Sequence, residues 1–164
     1  MYRSGQLEAY VSELRRRPDA QAVIKGSGQY PDISGTVRFY QTKCCVLVAA
    51  EVSGLPAGAD LCGDRVFGFH IHGGERCAGD AGDPFAAALG HYDPDGCPHP
   101  AHAGDMPPLF SSRGRAFLAF LTDRFSVREI LGRTVIIHAS PDDFTSQPAG
   151  NAGTRIACGQ IRPA

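Results

Sequence analysis

The chain has 164 residues, which suits one domain with a sizeable core, and its net charge of −1 argues against nucleic acid or an anionic membrane as a partner. No apolar run is long enough to span a bilayer, and the 20 glycines and 12 prolines predict many turns. No signal peptide is visible, which favours a cytoplasmic location, whereas a processed chain would be periplasmic or extracellular.

The first predicted element is a helix over residues 4–17. Ser4 can cap its N-terminus, apolar residues recur at helical spacing, and Pro18 follows its end. The prediction places Arg15–Arg17 in the last turn, where positive charge suits the helix dipole. A solvated helix end is therefore preferred to a basic binding patch.

Short segments separated by glycine and proline turns follow from residue 20 onward. Their two-residue alternation of apolar and polar side chains predicts strands of an antiparallel sandwich or barrel. The predicted strands cover residues 22–25, 36–40, 46–53, 67–72, 116–121, 134–137 and 155–161. Residues 73–115 and 139–154 lack this pattern. Long loops in a compact domain are usually functional or disordered, and the histidines in the first loop favour a function.

His70 and His72 lie in the sequence GFHIHG, residues 68–73. In a strand their side chains share one face, while Phe69 and Ile71 share the other and can pack on a core. Imidazole is a common ligand for zinc and copper. An isolated pattern of this kind would more often be two exposed polar residues on the wet face of a strand. The positions of the other four histidines favour the metal interpretation.

A second group of histidines occupies the first long loop. His99, His102 and Asp105 fall within seven residues, and His91 lies just upstream. Three imidazoles and one carboxylate suit a tetrahedral zinc site, and a bound metal would order a loop that has little core of its own. The competing interpretation is a polar surface loop that binds nothing.

His138 ends the predicted strand 134–137 and would share a face with Ile136. A histidine at the end of an apolar strand is often only a rim residue. Together with His70 and His72, it would complete an all-nitrogen site, which suits Cu(II). The spacing does not say which histidine binds which metal, or whether one histidine is shared.

Five motifs, in this order, make the chain resemble a Cu/Zn superoxide dismutase from residue 20 to 161. They are GFHIHG (68–73), GHYDP (90–94), HAGDMP (102–107), GRTVIIH (132–138) and GNAGTRIACG (150–159). The resemblance implies an all-β fold, an eight-stranded antiparallel Greek-key barrel or immunoglobulin-like sandwich, with two functional loops and a short N-terminal helix. We therefore expect residues 1–19 to form a helical extension and residues 20–164 to form one domain.

The resemblance also assigns two sets of metal ligands that share one histidine. The copper ligands would be His70, His72, His91 and His138. The zinc ligands would be His91, His99, His102 and Asp105. His91 would then bridge the two metals.

Four further positions have roles implied by the resemblance. Asp142 matches the carboxylate that links ligands of the two sites, with a solvated turn aspartate as the competing interpretation. Arg155 matches the arginine that attracts and orients the anion beside copper, so Arg155 and His91 are the expected catalytic residues. Cys77 and Cys158 match the family's intrasubunit disulfide.

The implied activity is the disproportionation of superoxide to dioxygen and hydrogen peroxide by redox cycling of copper beside a zinc site. The alternative is a non-catalytic copper/zinc-binding or copper-delivery protein on the same fold. A structural zinc-stapled domain would leave several histidines unused. The superoxide anion is the expected partner, with neither nucleic acid nor a membrane, and both a homodimer and a monomer stay open.

The chain departs from the family pattern in several places. The interval from His99 to His102 is shorter than usual, and the loop 139–154 has no Lys or Arg where family members commonly place lysines for steering.

Neighbouring Cys44 and Cys45 are expected to face opposite sides of a strand, which would keep them from bonding to each other. The cysteines without an assigned role are Cys44, Cys45, Cys62 and Cys97.

Overall fold

The computed structural model describes residues 5–57 and 65–164, with residues 5–7 described by their backbone alone. Nine short strands, two α-helices and one short 3-10 helix, Ala86–Ala88, lie in this part of the chain. Their bounds are α1 Gly5–Glu13, β1 Ala20–Gly26, β2 Ser34–Gln41, β3 Val46–Ser53, β4 Val66–Phe67, β5 Phe69–His72, β6 Leu109–Phe110, β7 Arg115–Thr122, α2 Val127–Ile130, β8 Thr134–His138 and β9 Arg155–Pro163. No helix among these described residues is long and apolar enough to cross a membrane.

Seven of the strands form one antiparallel sheet in the order β5-β8-β9-β1-β2-β3-β7, and β4 pairs with β6 in a second, two-stranded sheet. Only Gly68 separates β4 from β5, so one predicted strand passes from the small sheet into the large one. Counted in this way, the nine strand segments correspond to the eight strands expected. The curled antiparallel sheet confirms the predicted all-β class.

The alternation in the sequence places one side of β1 in the core. In β1, Ala22 and Ile24 are fully buried, whereas Val23 between them is exposed. β8 does not follow this rule, because all five of its side chains are buried. Its second face is covered by the loop after β5, where Phe85 packs in a small cluster with Ile136. Both faces of the strand that carries His138 are therefore shielded from water.

The predicted disulfide is present between Cys77 and Cys158, with the Cα atoms 5.6 Å apart. It joins the loop after β5 to β9, and Cys158 belongs to the same small cluster as Phe85. Because it links residues 81 positions apart, it restricts the unfolded chain strongly. The bond therefore holds the beginning of the first long loop against the sheet.

The N-terminal helix is shorter than predicted, because α1 ends at Glu13 rather than at residue 17. Arg15–Arg17 were expected in its last turn but lie in the turn that follows. Arg16 makes ion pairs with Glu13 and with Asp19, the latter at 2.9 Å, so the chain turns towards β1 here. The proposed cap, Ser4, lies outside the described residues.

The helix covers the outer face of β2 and β3. Tyr10 and Leu14 pack against a cluster of Tyr40, Leu47 and Ala49. These three sheet residues are buried although they point away from the main core. The helical segment is therefore attached to the barrel by apolar contact.

Candidate metal centre

The paired strands β5 and β8 carry three of the predicted ligands. His70 lies opposite Ile136 in the strand register, and an irregularity after Ile137 displaces His138 from the regular ladder with β9. His70 and His72 are 0% and 1% exposed. The interpretation of these two as exposed polar residues is therefore wrong, because loops cover the face from which they project.

Gly68, at the junction between the two sheets, allows this close packing. Its carbonyl accepts the N–H of His138 at 2.8 Å, and its own N–H donates to the carbonyl of Ser140 at 2.8 Å. A Cβ at position 68 would lie 2.8 Å from the Cβ of Ala152 and 3.3 Å from that of His138. A larger residue would push apart the strands that carry the histidines.

The structure brings the histidines of the predicted copper set into one group. One candidate ligand atom of each lies within 4.8 Å of the others. The Nε2 atoms of His72 and His138 are 3.3 Å apart, and the rings of His70 and His91 have centroids 4.0 Å apart. Four ring nitrogens therefore point into one small, buried space.

The four residues of the predicted zinc set form a neighbouring group. His91 Nδ1 is 2.7 Å from Asp105 Oδ1, and His102 Nδ1 is 3.4 Å from both Asp105 Oδ2 and His91 Nδ1. His99 Nδ1 lies 3.1 Å from Asp105 Oδ2. His91 belongs to both groups, so a single imidazole ring separates the two spaces.

The outward ring nitrogens of two copper-set histidines are bonded to backbone carbonyls. His72 Nδ1 donates to Leu89 O at 2.7 Å, and His138 Nδ1 donates to Gly153 O at 3.2 Å. A carbonyl oxygen can only accept, so each Nδ1 carries the hydrogen. The inward Nε2 of each neutral ring then keeps its lone pair for a ligand.

Asp142 accepts a hydrogen bond from the outward ring nitrogen of one histidine in each group. Its Oδ2 is 2.7 Å from His70 Nε2 and its Oδ1 is 2.9 Å from His99 Nε2. Burial opposes ionisation of this carboxyl, but the hydrogen bonds from His70, the Phe144 amide and His99 outweigh it and lower the pKa of Asp142 to about 2. Asp142 is 6% exposed, so it is not a solvated turn aspartate.

Gly150 makes room for this carboxylate. Its φ is +63°, and a Cβ there would lie only 2.0 Å from Asp142 Oδ1. Both the backbone conformation and the close approach therefore require glycine. The motif GNAGTRIACG thus supplies more than Arg155 to the site.

The donor atoms in the two groups fit copper and zinc. Within the described residues, His70 Nδ1, His91 Nε2 and His99 Nδ1 are buried and have no hydrogen-bond partner. For His99, this means that the 3.1 Å approach to Asp105 lacks hydrogen-bond geometry. Each such buried atom costs about 1–3 kcal/mol unless something else satisfies it. A metal ion in each space would bind these lone pairs.

The protonation of the strand-borne histidines also suits metal binding. Burial is the main cause that lowers the pKa of His70, lowers that of His72 well below its usual range, and lowers that of His138 to about 3. These rings are neutral near pH 7, and a neutral ring is the form that coordinates a metal. Four nitrogen ligands suit Cu(II), whereas three nitrogens and a carboxylate suit zinc.

Arg155 lies beside the copper set and is fixed by the loop after β5. Its Nη2 donates to Leu89 O at 2.6 Å, and its Nη1 donates to Phe85 O at 2.8 Å. Leu89 O also accepts the hydrogen of His72, so one carbonyl links the guanidinium to the copper set. The Arg155 side chain is 20% exposed and can meet a small anion from solvent.

Three residues near the site were missed in the sequence. Asp83 Oδ2 is 3.3 Å from Arg155 Nη1. Gln147 holds the backbone of His99 from both sides, with its Nε2 2.7 Å from His99 O and its Oε1 2.9 Å from His99 N. Arg124, two residues after β7, donates from Nη1 to the carbonyls of Pro100, His102 and Asp105 at 3.0–3.4 Å.

Comparisons with known proteins agree with this geometry. The family model described as copper/zinc superoxide dismutase matches residues 33–161. The chain is 35% identical over 146 residues to superoxide dismutase [Cu-Zn] 2 of Aquifex aeolicus, covering 80% of each protein. It is 34% identical over 159 residues to a Legionella pneumophila superoxide dismutase [Cu-Zn], covering 92% of this chain and 91% of the relative. The solved Cu/Zn superoxide dismutase from Brucella abortus is similar with a TM-score of 0.71 and 25% identity, over 86% of this chain and 98% of that chain.

Proposed function

Because the chain belongs to the copper/zinc superoxide dismutase family, we propose that it disproportionates superoxide to dioxygen and hydrogen peroxide. The observation that carries this proposal is the position of one ring. His91 directs Nδ1 towards Asp105 and leaves Nε2 unpaired on the side of His70 and His138. A purely structural metal site needs no such shared ring.

The proposal assigns a role to each residue of the two groups. Copper would be held by His70, His72, His91 and His138. Zinc would be held by His91, His99, His102 and Asp105. When bound, copper supplies reversible one-electron chemistry, and zinc supplies a positive charge with no redox change. Asp142 fixes the ring orientation of one ligand in each group.

Arg155 is the proposed binding group for the anion. Its charge is permanent, and its bonds to Phe85 and Leu89 leave little freedom to the guanidinium. Because Leu89 O also holds His72, the position of the bound anion is tied to the position of a copper ligand. We propose that His91 Nε2 holds the proton that is passed to the forming peroxide.

A non-catalytic copper-delivery protein is the alternative. A carrier needs neither the shared ring of His91 nor a fixed arginine at the rim of the copper set. The division into residues 1–19 and 20–164 and the homodimer both stay proposals. Deleting residues 1–19 and measuring whether the remaining chain folds tests the division. Measuring the mass of the chain in solution tests the homodimer.

The decisive experiment is a superoxide assay with xanthine oxidase on protein loaded with copper and zinc. We expect activity in the parent chain, none in His138→Ala, and slow turnover with copper still bound in Arg155→Ala. Bound copper without turnover in the parent chain would favour the carrier. Arg155→Lys is the matched variant, since it keeps the charge but loses the two-carbonyl bonding.

A further inference from the structure

Two thiols outside the metal centre lie side by side in the turn between β2 and β3. Cys44 is exposed and Cys45 is partly exposed. Their Sγ atoms are 3.2 Å apart, compared with about 2.0 Å in a formed disulfide. The prediction that they face opposite sides of a strand is wrong, because β2 ends at Gln41 and β3 begins only at Val46.

The turn itself holds the two sulfur atoms together. The N–H of Thr42 donates to Cys45 O at 2.8 Å, and the N–H of Cys45 donates to Thr42 Oγ1 at 3.2 Å. That hydroxyl also lies 3.2 Å from Cys45 Sγ. Gln41 Nε2 bonds to Cys45 O at 3.3 Å, while its Oε1 accepts the N–H of Val127 in α2. The backbone on both sides of the thiols is thus anchored.

We propose that Cys44 and Cys45 form a reversible dithiol–disulfide site that hydrogen peroxide oxidises. The Cys44 thiolate attacks the O–O bond, which gives a sulfenic acid and releases hydroxide that is protonated to water. Cys45 Sγ then attacks the sulfur of Cys44, the S–O bond breaks, and the thiol proton leaves with that oxygen as a second water. Two thiols lose two electrons and one peroxide gains two.

The surroundings distinguish the two thiols. Cys44 is the more exposed, so it meets peroxide first. At Cys45, the hydrogen bond with Thr42 acts to lower the pKa, but the bond with Cys44 and partial burial outweigh it, so the pKa is raised. Cys45 therefore keeps its proton until the second step.

The product differs from the Cys77–Cys158 disulfide. A disulfide between adjacent residues closes a small ring that contains their own peptide bond. That bond must twist or become cis, which is costly for a residue other than proline. Strained and exposed disulfides are the easily reduced ones. The Cys44–Cys45 bond should therefore open with a mild thiol, while Cys77–Cys158 stays closed.

The source of the oxidant rests on the proposed function, because peroxide would be this protein's own product. The chemistry at the turn does not need the metal centre. His138→Ala removes one proposed copper ligand and separates the two proposals. If the ring forms in this variant as in the parent, the dithiol site stands whatever the dismutase assay shows. If only the parent forms it, the oxidation runs through the metal centre and the direct reaction is overturned.

The test is peptide mapping of the full-length, metal-loaded protein after a small excess of hydrogen peroxide. Cleavage after Lys43 and Glu51 isolates the peptide 44–51, free of Cys62 and Cys97. We expect this peptide to become lighter by two hydrogen atoms, to resist alkylation, and to recover both thiols with dithiothreitol. Cys97 has no thiol partner beside it among the described residues and should stay open to alkylation.

The single variants Cys44→Ser and Cys45→Ser provide the control. Cys45→Ser keeps the thiol that meets peroxide first, so a sulfenic acid should persist at Cys44 and react with dimedone. Cys44→Ser keeps only the less exposed thiol and should form the sulfenic acid more slowly. Three results would overturn the proposal in the parent chain: gain of oxygen without loss of two hydrogens, a link from the peptide 44–51 to Cys62 or to another chain, or no change at all.

Discussion

His70, His72 and His138 lie on paired strands, whereas His99, His102 and Asp105 lie on a long loop, and the two sets are held by different interactions. Backbone bonds of β5 and β8 fix the strand-borne set. The loop-borne set depends on side chains from distant elements and on a few backbone bonds to the edge of β5. The strand set is therefore positioned by folding alone, while the loop set needs further constraints.

Removal of both metals should show this difference most strongly. The amide of Tyr92 donates to Ile71 O in β5, and the amide of Gly104 donates to Tyr92 O. We expect both to lose hydrogen-exchange protection by about 1,000-fold, or about 4 kcal/mol, as the linked binding energy is lost. The amides of Val135 and Ile137 in β8 should change little.

Exchange measured before and after chelation, and again after zinc alone is restored, checks this expectation. If zinc alone restores the hydrogen-exchange protection of the loop, the predicted zinc set orders the loop. Equal loss of protection in β8 would show that the strand set also depends on metal, which would remove the distinction between the two regions.

Acidification of the metal-free protein should act through the strand set. The pKa values of His70, His72 and His138 are lowered in the folded state, so below their ordinary value the unfolded chain binds more protons. Stability is then complete above about pH 6.5 and falls as the pH drops, by at most about 1.4 kcal/mol per pH unit for each histidine. Urea denaturation between pH 7 and pH 5 measures this slope.

The matched variant is His138→Asn, which removes one titrating ring and keeps a polar side chain of similar length. Its free energy of unfolding should depend less steeply on pH over this interval. A parent protein whose stability is constant from pH 7 to pH 5 would contradict the prediction. Asp142 does not contribute here, because its lowered pKa matters only below its ordinary value of 3.8.

Asp142 bonds to one histidine of each set, so Asp142→Asn should weaken metal binding by both sets. An amide offers one acceptor where His70 and His99 each need one, and its NH₂ group would face one of the two ring N–H groups. We expect copper and zinc affinities to fall by about 10- to 100-fold. Competition with a chelating dye measures both, with Asp32→Asn, an exposed carboxylate in the turn between β1 and β2, as the control that should leave affinity unchanged. Loss of affinity for one metal alone would show that Asp142 supports only one of the two sets.

The sequence predicted the strand set more completely than the supports of the loop set. His70 and His72 were identified from a local alternation and a family motif, because a strand and its motif lie in one short segment. Gln147 and Arg124 were not identified, because they act on backbone groups of a loop 19 to 48 residues away in the sequence. No local pattern marks such contacts. The Cys44–Cys45 turn was misassigned for a related reason. The apolar residues of β3 follow Cys45 directly, and no glycine or proline marks the turn.

Asp83→Asn should have the smallest effect and concerns the rim where the two regions meet. Asp83 lies on the loop, yet its carboxylate is 3.3 Å from the guanidinium of Arg155 on β9. It offsets part of the charge that attracts superoxide, and an exposed pair of this kind is worth about 0.2–1 kcal/mol. We therefore expect kcat/KM to rise by about 1.4- to fivefold at low ionic strength.

Salt separates this charge effect from a change in shape. The loop 139–154 has no Lys or Arg, so the parent rate should fall only slightly with added salt. The Asp83→Asn rate should fall more steeply and approach the parent rate at high salt, because salt screens the released charge of Arg155. Asp32→Asn makes the same change in net charge in the turn between β1 and β2 and should follow the parent curve. A slower Asp83→Asn enzyme at every salt concentration would instead mean that Asp83 positions the guanidinium of Arg155. The loop would then hold Arg155 in place rather than offset its positive charge.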